Sequence, residues 1–115
     1  MTNILITGGE GYLGGFLARS LKASGYTVKI GARSPGIGKT MIDLSCLESL
    51  RRACDGANIV IHLAAMNQHQ CEQDFEQAII INTLGTYKLF AAARAAGVKR
   101  FFYFSTAQVY DTISD

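Results

Sequence analysis

The spacing of glycines near the start of the chain constrains its fold more than any other feature. Asn3-Ile4-Leu5-Ile6-Thr7 runs directly into Gly8-Gly9-Glu10-Gly11-Tyr12-Leu13-Gly14. Residues 4–6 are a short apolar run suited to a buried parallel strand, and from Tyr12 to Ala23 apolar residues recur at helical spacing. Strand, glycine turn and helix in this order make the first half of a βαβ unit that binds a dinucleotide. Gly8 lets the chain turn sharply out of the strand. Gly11 carries no side chain to hold a pyrophosphate away from the backbone, and Gly14 lets the helix pack close to the sheet. The N–H groups of the first helical turn, with the helix dipole behind them, then face phosphate charge.

The remaining composition sets limits. A chain of 115 residues suffices for one domain or part of one, and 49% hydrophobic with 17% charged residues indicates a globular protein. A net charge of +2 argues for neither nucleic acid nor a membrane surface. No apolar run approaches a membrane span, and a strand beginning at Asn3 leaves no space for a signal peptide. The three cysteines, Cys46, Cys54 and Cys71, lack close paired spacing; reduced thiols and a cytoplasmic location are expected. His62, His69 and Cys71 lack metal-site spacing, so no metal is expected.

Residues 27–30, rich in β-branched side chains, predict a second strand. Gly31-Ala32-Arg33-Ser34 follows at its carboxyl end, where a dinucleotide fold reads the adenosine ribose. An acid there would accept hydrogen bonds from both ribose hydroxyls and repel a 2′-phosphate. Ala32 holds that place and Arg33 comes next, so NADP is expected in preference to NAD, which remains possible. The alternative for Arg33 is an ordinary solvated arginine. Residues 34–38 are a turn-rich loop, and residues 39–44 predict a third strand ending in Asp43-Leu44. A short helix succeeds it over residues 46–54, and Asp43 is placed to cap its start near Ser45.

Residues 59–65 form an unbroken apolar strand, within which His62 is expected to be packed and hydrogen-bonded rather than catalytic. Residues 66–74 are polar and hold no recognisable chemical constellation. The longest helix is predicted over residues 73–96. Phe75, Ala78, Ile79, Ile81, Asn82, Gly85, Leu89 and Ala92 supply its core stripe. Ile80, Leu84, Tyr87 and Ala91 add a second apolar face, wider than one sheet contact requires. The fifth strand begins at Arg100, with aromatic residues 101–104.

Thr7-Gly8-x-x-Gly11-x-x-Gly14 resembles the short-chain dehydrogenase/reductase family, and Gly8-Gly9-x-Gly11-Tyr12-Leu13-Gly14 resembles its extended branch of nucleotide-sugar epimerases, dehydratases and reductases. His62-Leu63-Ala64-Ala65 is similar to the same branch, as are Asn82-Thr83-Leu84-Gly85-Thr86 (Asn-x-x-Gly-Thr) and Ser105-Thr106-x-x-Val109-Tyr110 (Ser-Ser/Thr-x-x-Val-Tyr). The resemblance covers residues 4–110. It implies an α/β, Rossmann-like, doubly wound parallel sheet of five strands in the order 3-2-1-4-5. It places Gly8, Gly11, Tyr12, Leu13 and Gly14 among the cofactor-binding residues, with Arg33 as read above, and Asp43 and Leu44 at the adenine. Leu63, Ala64, Ala65 and Ser105 would lie along the cofactor, Asn82 would steady the backbone near the active site, and Thr106 would hydrogen-bond the reacting oxygen of a sugar. It also implies a nucleotide-sugar substrate and a homodimer through the helix of residues 73–96, the alternative for that helix being burial in a larger parent fold.

The resemblance fails at one place. The family's proton transfer belongs to a tyrosine and a lysine four residues later. Here Tyr12, Tyr26, Tyr87, Tyr103 and Tyr110 are followed at that distance by Phe16, Ile30, Ala91, Ala107 and Ser114. The expectation is therefore an amino-terminal, cofactor-binding third of such an enzyme, catalytically incomplete, with residues 101–104 on a bare sheet edge. A non-enzymatic NADP(H)-binding or sensing module is the alternative.

Overall fold

The computed structural model describes residues 2–9, 11–33, 36–64 and 72–104. Five parallel strands form one sheet: β1 (Asn3–Thr7), β2 (Thr27–Ala32), β3 (Lys39–Met41), β4 (Ile59–His62) and β5 (Arg100–Tyr103), in the order β3-β2-β1-β4-β5. The expected topology is the observed one. Ile4, Leu5 and Ile6 are all buried, because helices cover both faces of β1. On one face α1 (Tyr12–Ala23) packs Leu17, Ala18 and Leu21 against Ile4, Ile6 and Ile61. On the other, α2 (Leu47–Cys54) and α4 (Gly85–Ala95) place Leu50 and Leu89 over Leu5 and Val60. The order of strands reverses between β1 and β4, and in an open α/β sheet the crevice at such a point is where ligands bind.

Several boundaries differ from the sequence reading, each for a visible reason. β2 runs on to Ala32 because Gly31 and Ala32 pair with Thr40 and Met41. β3 stops at Met41, short of the predicted residue 44. The Ile42 N–H still reaches the Ala32 carbonyl at 2.8 Å, but the Asp43 N–H donates to Ser49 Oγ at 3.0 Å, out of the ladder. α2 begins at Leu47 with Cys46 as its N-cap. β4 ends at His62: the Leu63 N–H is shared between the Thr7 carbonyl at 3.2 Å and the Thr7 hydroxyl, and the Ala64 N–H goes to that hydroxyl alone.

The predicted long helix is divided. Asp74 accepts from the Gln77 N–H at 3.0 Å and starts α3 (Phe75–Ile79), which passes through a π turn (Ile80–Leu84) into α4. Within the π turn the Gly85 N–H reaches back five residues to the Ile80 carbonyl. One extra residue rotates α4 by about 100° relative to a uniform helix. Phe75 and Ile79 are therefore out of phase with Leu89 and Ala92. They are 72% and 44% exposed, not part of the core stripe to which their spacing assigned them. Ala78, Gly85, Leu89 and Ala92 do face inward. The second apolar face is open at Leu84 and Tyr87, while Ile80 and Ala91 are half-buried. β5 lies at the sheet edge with Phe102, Tyr103 and Phe104 exposed.

Candidate functional site

The site begins where β1 ends. Gly8 adopts φ +73°, a left-handed conformation, and turns the chain between strand and helix. A methyl group on Gly14 would overlap the Gly8 carbonyl oxygen and lie 2.7 Å from the Gly9 Cα, so the helix approaches the loop as closely as two backbones can. Gly11 differs from both. Its φ of −75° suits any residue, and among the described residues a Cβ there would meet only the Gly8 carbonyl oxygen, at 3.5 Å. With respect to those residues position 11 has room for a side chain, and glycine keeps that space open. Gly11 is also the N-cap of α1, and no side chain caps the helix. Tyr12 and Leu13 come next, both exposed. The first-turn N–H groups, which have no intrahelical partner, converge on that space with the positive end of the dipole. A groove of about 400 Å³ continues from Gly9 and Gly11 along α1 past Arg19 and Lys22, adding positive charge at its far end.

At the carboxyl end of β2, Ala32 is buried and Arg33 is exposed beside it. Across β3, Asp43 Oδ1 accepts from the Ser45 hydroxyl at 2.6 Å and the Ser45 N–H at 2.9 Å. These bonds, with the Lys88 ammonium nearby, hold its carboxyl below the usual aspartate range. Asp43 thus builds a turn ahead of α2, with Cys46 between it and the helix, and is not the cap itself. Leu44 is buried, its Cβ within 2.9 Å of the position a Cβ on Gly85 would occupy, so only its backbone is available to a ligand. Lys88 Nζ donates to the Ser45 carbonyl at 3.3 Å and ties α4 to this turn.

Leu63 and Ala64 leave β4 on the opposite side of the crevice, half-buried, next to Gly8. The Thr7 hydroxyl oxygen accepts from both of their N–H groups, at 3.0 and 3.1 Å, and meets His62 Nδ1 at 2.6 Å. The other ring nitrogen, Nε2, is 2.9 Å from the Thr86 hydroxyl. Asn82 lies in the π turn, half-buried, and its carbonyl accepts from that same hydroxyl at 2.9 Å. Burial pushes the His62 pKa down to about 4, so the ring is neutral. His62 is packed and hydrogen-bonded as its place in the strand implied. The linkage of Thr7, His62 and Thr86 was not foreseen, although each belongs to a motif visible in the sequence. Ala65, Ser105 and Thr106 lie outside the described residues, as do His69, Cys71, Val109 and Tyr110.

A profile of the NAD dependent epimerase/dehydratase family matches residues 4–115. The chain belongs to that family. It is 31% identical to GDP-mannose 3,5-epimerase 1 of Oryza sativa subsp. japonica, over 93% of this chain and 31% of that protein. It is 35% identical to 2-alkyl-3-oxoalkanoate reductase of Stenotrophomonas maltophilia, over 92% of this chain and 34% of the reductase. Among solved structures, a short-chain dehydrogenase/reductase superfamily protein from Agrobacterium tumefaciens with bound NAD superposes with a TM-score of 0.85 at 31% identity, covering 95% of this chain and 34% of that one. UDP-N-acetylglucosamine 4-epimerase from Bacillus cereus gives 0.80 at 27% identity, covering 100% and 44%. The chain spans about a third of the length of the curated relatives it matches.

A helix start with glycine as its N-cap lies in the observed crevice, next to the left-handed turn at Gly8. No helix among the described residues is long and apolar enough to cross a membrane.

Proposed function

We propose that this chain is the dinucleotide-binding portion of an NAD(P)-dependent nucleotide-sugar epimerase, dehydratase or reductase, and that it prefers NADP. The observation that carries the reading is Gly11 at the N-terminus of α1, where among the described residues a Cβ would meet only the Gly8 carbonyl oxygen at 3.5 Å, leaving room that suits a pyrophosphate. Gly8, Tyr12, Leu13 and Gly14 complete that cradle. Arg33, exposed beside the buried Ala32, supports a 2′-phosphate where an acid would exclude one. Asp43 and the Leu44 backbone are assigned to the adenine, and Leu63, Ala64, Ala65, Asn82 and Ser105 to the remainder of the cofactor. Bound there, the nicotinamide would supply hydride transfer to or from a sugar carbon. Thr106 is assigned a hydrogen bond to the reacting sugar oxygen.

Residues 1–115 contain no Tyr-x-x-x-Lys pair, so by themselves they are expected to bind cofactor without turnover. A second reading is a non-enzymatic NADP(H)-binding module. A cytoplasmic homodimer, associated through the exposed apolar face of α3 and α4, belongs to the proposal. Titration calorimetry with NADP and NAD tests it: binding of neither dinucleotide by the folded chain would overturn both readings, and hydride exchange with a nucleotide sugar would overturn the second.

A further inference from the structure

The hydrogen bonds around His62 have a single self-consistent direction. Thr7 Oγ1 accepts from the Leu63 and Ala64 N–H groups, which occupies its two lone pairs, so its own proton points to His62 Nδ1. Nδ1 is therefore an acceptor and the neutral ring carries its proton on Nε2. Nε2–H donates to Thr86 Oγ1, whose proton then goes to the Asn82 carbonyl. The two hydroxyl protons and the Nε2 proton each have one acceptor along the chain, and the Leu63 N–H is shared between Thr7 Oγ1 at 3.0 Å and the Thr7 carbonyl at 3.2 Å. The ring is 1% exposed, stacked on Tyr103 with centroids 5.7 Å apart and tilted against Phe101 at 6.2 Å. It has no room to flip, and its burial keeps solvent from substituting for a lost partner.

This chain of bonds joins the floor of the crevice to the π turn. One end holds the backbone of Leu63 and Ala64 against Gly8 at the floor of the crevice between β1 and β4. The other ends inside the π turn, where the five-residue reach from Gly85 to Ile80 departs from helical geometry and an added bond to the Asn82 carbonyl sets the local shape. We propose that His62 is a positioning residue, a fixed Nε2–H imidazole that through Thr86 holds the π turn carrying Asn82 in register with the crevice floor formed by Thr7, Leu63 and Ala64. This rests on the cofactor-binding reading above. His62 itself touches no ligand; it keeps two separately folded backbone segments at the spacing a dinucleotide must bridge.

Nitrogen-resolved NMR of the 115-residue chain, combined with dinucleotide titration, tests the proposal. The wild type should show His62 protonated at Nε2 and bare at Nδ1. Thr86→Val, which keeps the shape but can neither accept nor donate, should shift the Nε2–H resonance and weaken NADP or NAD binding roughly three- to tenfold, the scale of one buried hydrogen bond. Thr86→Ser should restore both. If Thr86→Val does not fold, Thr86→Ala removes the hydroxyl without a branched replacement. A proton on Nδ1 in the wild type, or wild-type affinity in a folded Thr86→Val or Thr86→Ala chain, overturns the positioning role while leaving cofactor binding intact. A wild type that shows the Nε2–H ring but binds neither dinucleotide overturns the cofactor reading and the positioning role with it.

Discussion

A Cβ on Gly8 would lie 2.9 Å from the backbone nitrogen of Ala64. The turn out of β1 and the exit from β4 are thus in backbone contact across the point where strand order reverses. Gly8 and residues 63–64 are distant in sequence but meet in space, and Gly8 is glycine both for its left-handed φ and for this contact. Position 11, three residues on, answers to neither demand.

Gly11→Val and Gly14→Ala should therefore separate binding from stability. A Cβ at position 11 meets no described atom closer than ordinary van der Waals distance, so Gly11→Val should stay folded with a modest loss of stability, valine being a poorer N-cap than glycine, while dinucleotide binding disappears. Gly14→Ala must push α1 off the loop and should lose roughly 1–3 kcal/mol of stability, the usual cost of overpacking. Thermal melts and calorimetry on both variants decide. Unchanged cofactor affinity in folded Gly11→Val would refute the assignment of the cradle.

Cofactor preference should depend on Arg33. NADP should bind more tightly than NAD, and Arg33→Ala should weaken NADP by about tenfold or more, consistent with loss of a charge-assisted phosphate contact, while barely affecting NAD. A preference for NAD that survives the substitution would remove the ribose-phosphate role.

Stability should fall as pH drops through a defined window. The folded pKa of His62 is pushed down to about 4 by burial, whereas an unfolded histidine titrates near 6.5. Between these values the unfolded chain binds a proton that the folded chain refuses. The stabilisation is complete above pH about 6.5 and is lost progressively down to about 4, amounting to at most a few kcal/mol. The Asp43 carboxyl, held below its ordinary range by Ser45, contributes its loss only at still lower pH. Urea unfolding at intervals from pH 7.5 to 4 should show the slope, and His62→Gln should flatten it; an equal slope in both proteins would contradict the assignment.

Association should respond to the outer face of α3 and α4. Leu84 and Tyr87 are 46% and 69% exposed, on a face too apolar to remain uncovered in a small domain. Leu84→Lys or Tyr87→Lys should convert a helix-mediated dimer to monomer in light scattering, since an isologous contact doubles each inserted charge. Pairing through the β5 edge would leave both variants dimeric, and a wild-type monomer at high concentration would exclude either arrangement.

The features legible in the sequence came from neighbouring residues. The apolar runs marked β1 and β4, the glycines marked the turn into α1, and helical spacing marked α1 over its observed length. These patterns are local because strand and helix propensities, and the backbone freedom of glycine, act over a few residues. The order of the five strands was legible only through the family resemblance, since no local pattern states which strand lies beside which. The π turn carries no residue that announces it, and a uniform helical period therefore misplaced Phe75 and Ile79. Beyond β3 and β4 the Asp43 and Ala64 N–H groups turn to the hydroxyls of Ser49 and Thr7, which belong to other elements. The bonds of His62 to Thr7 and Thr86 span 55 and 24 residues of chain and exist only once the sheet has put β1 beside β4 and α4 across it. Sequence alone determined that a strand, a glycine turn and a helix stand in that order at the start of this chain. The tertiary structure decided what holds them, because a hydrogen bond depends on the distance between two groups in space and not on their separation along the chain.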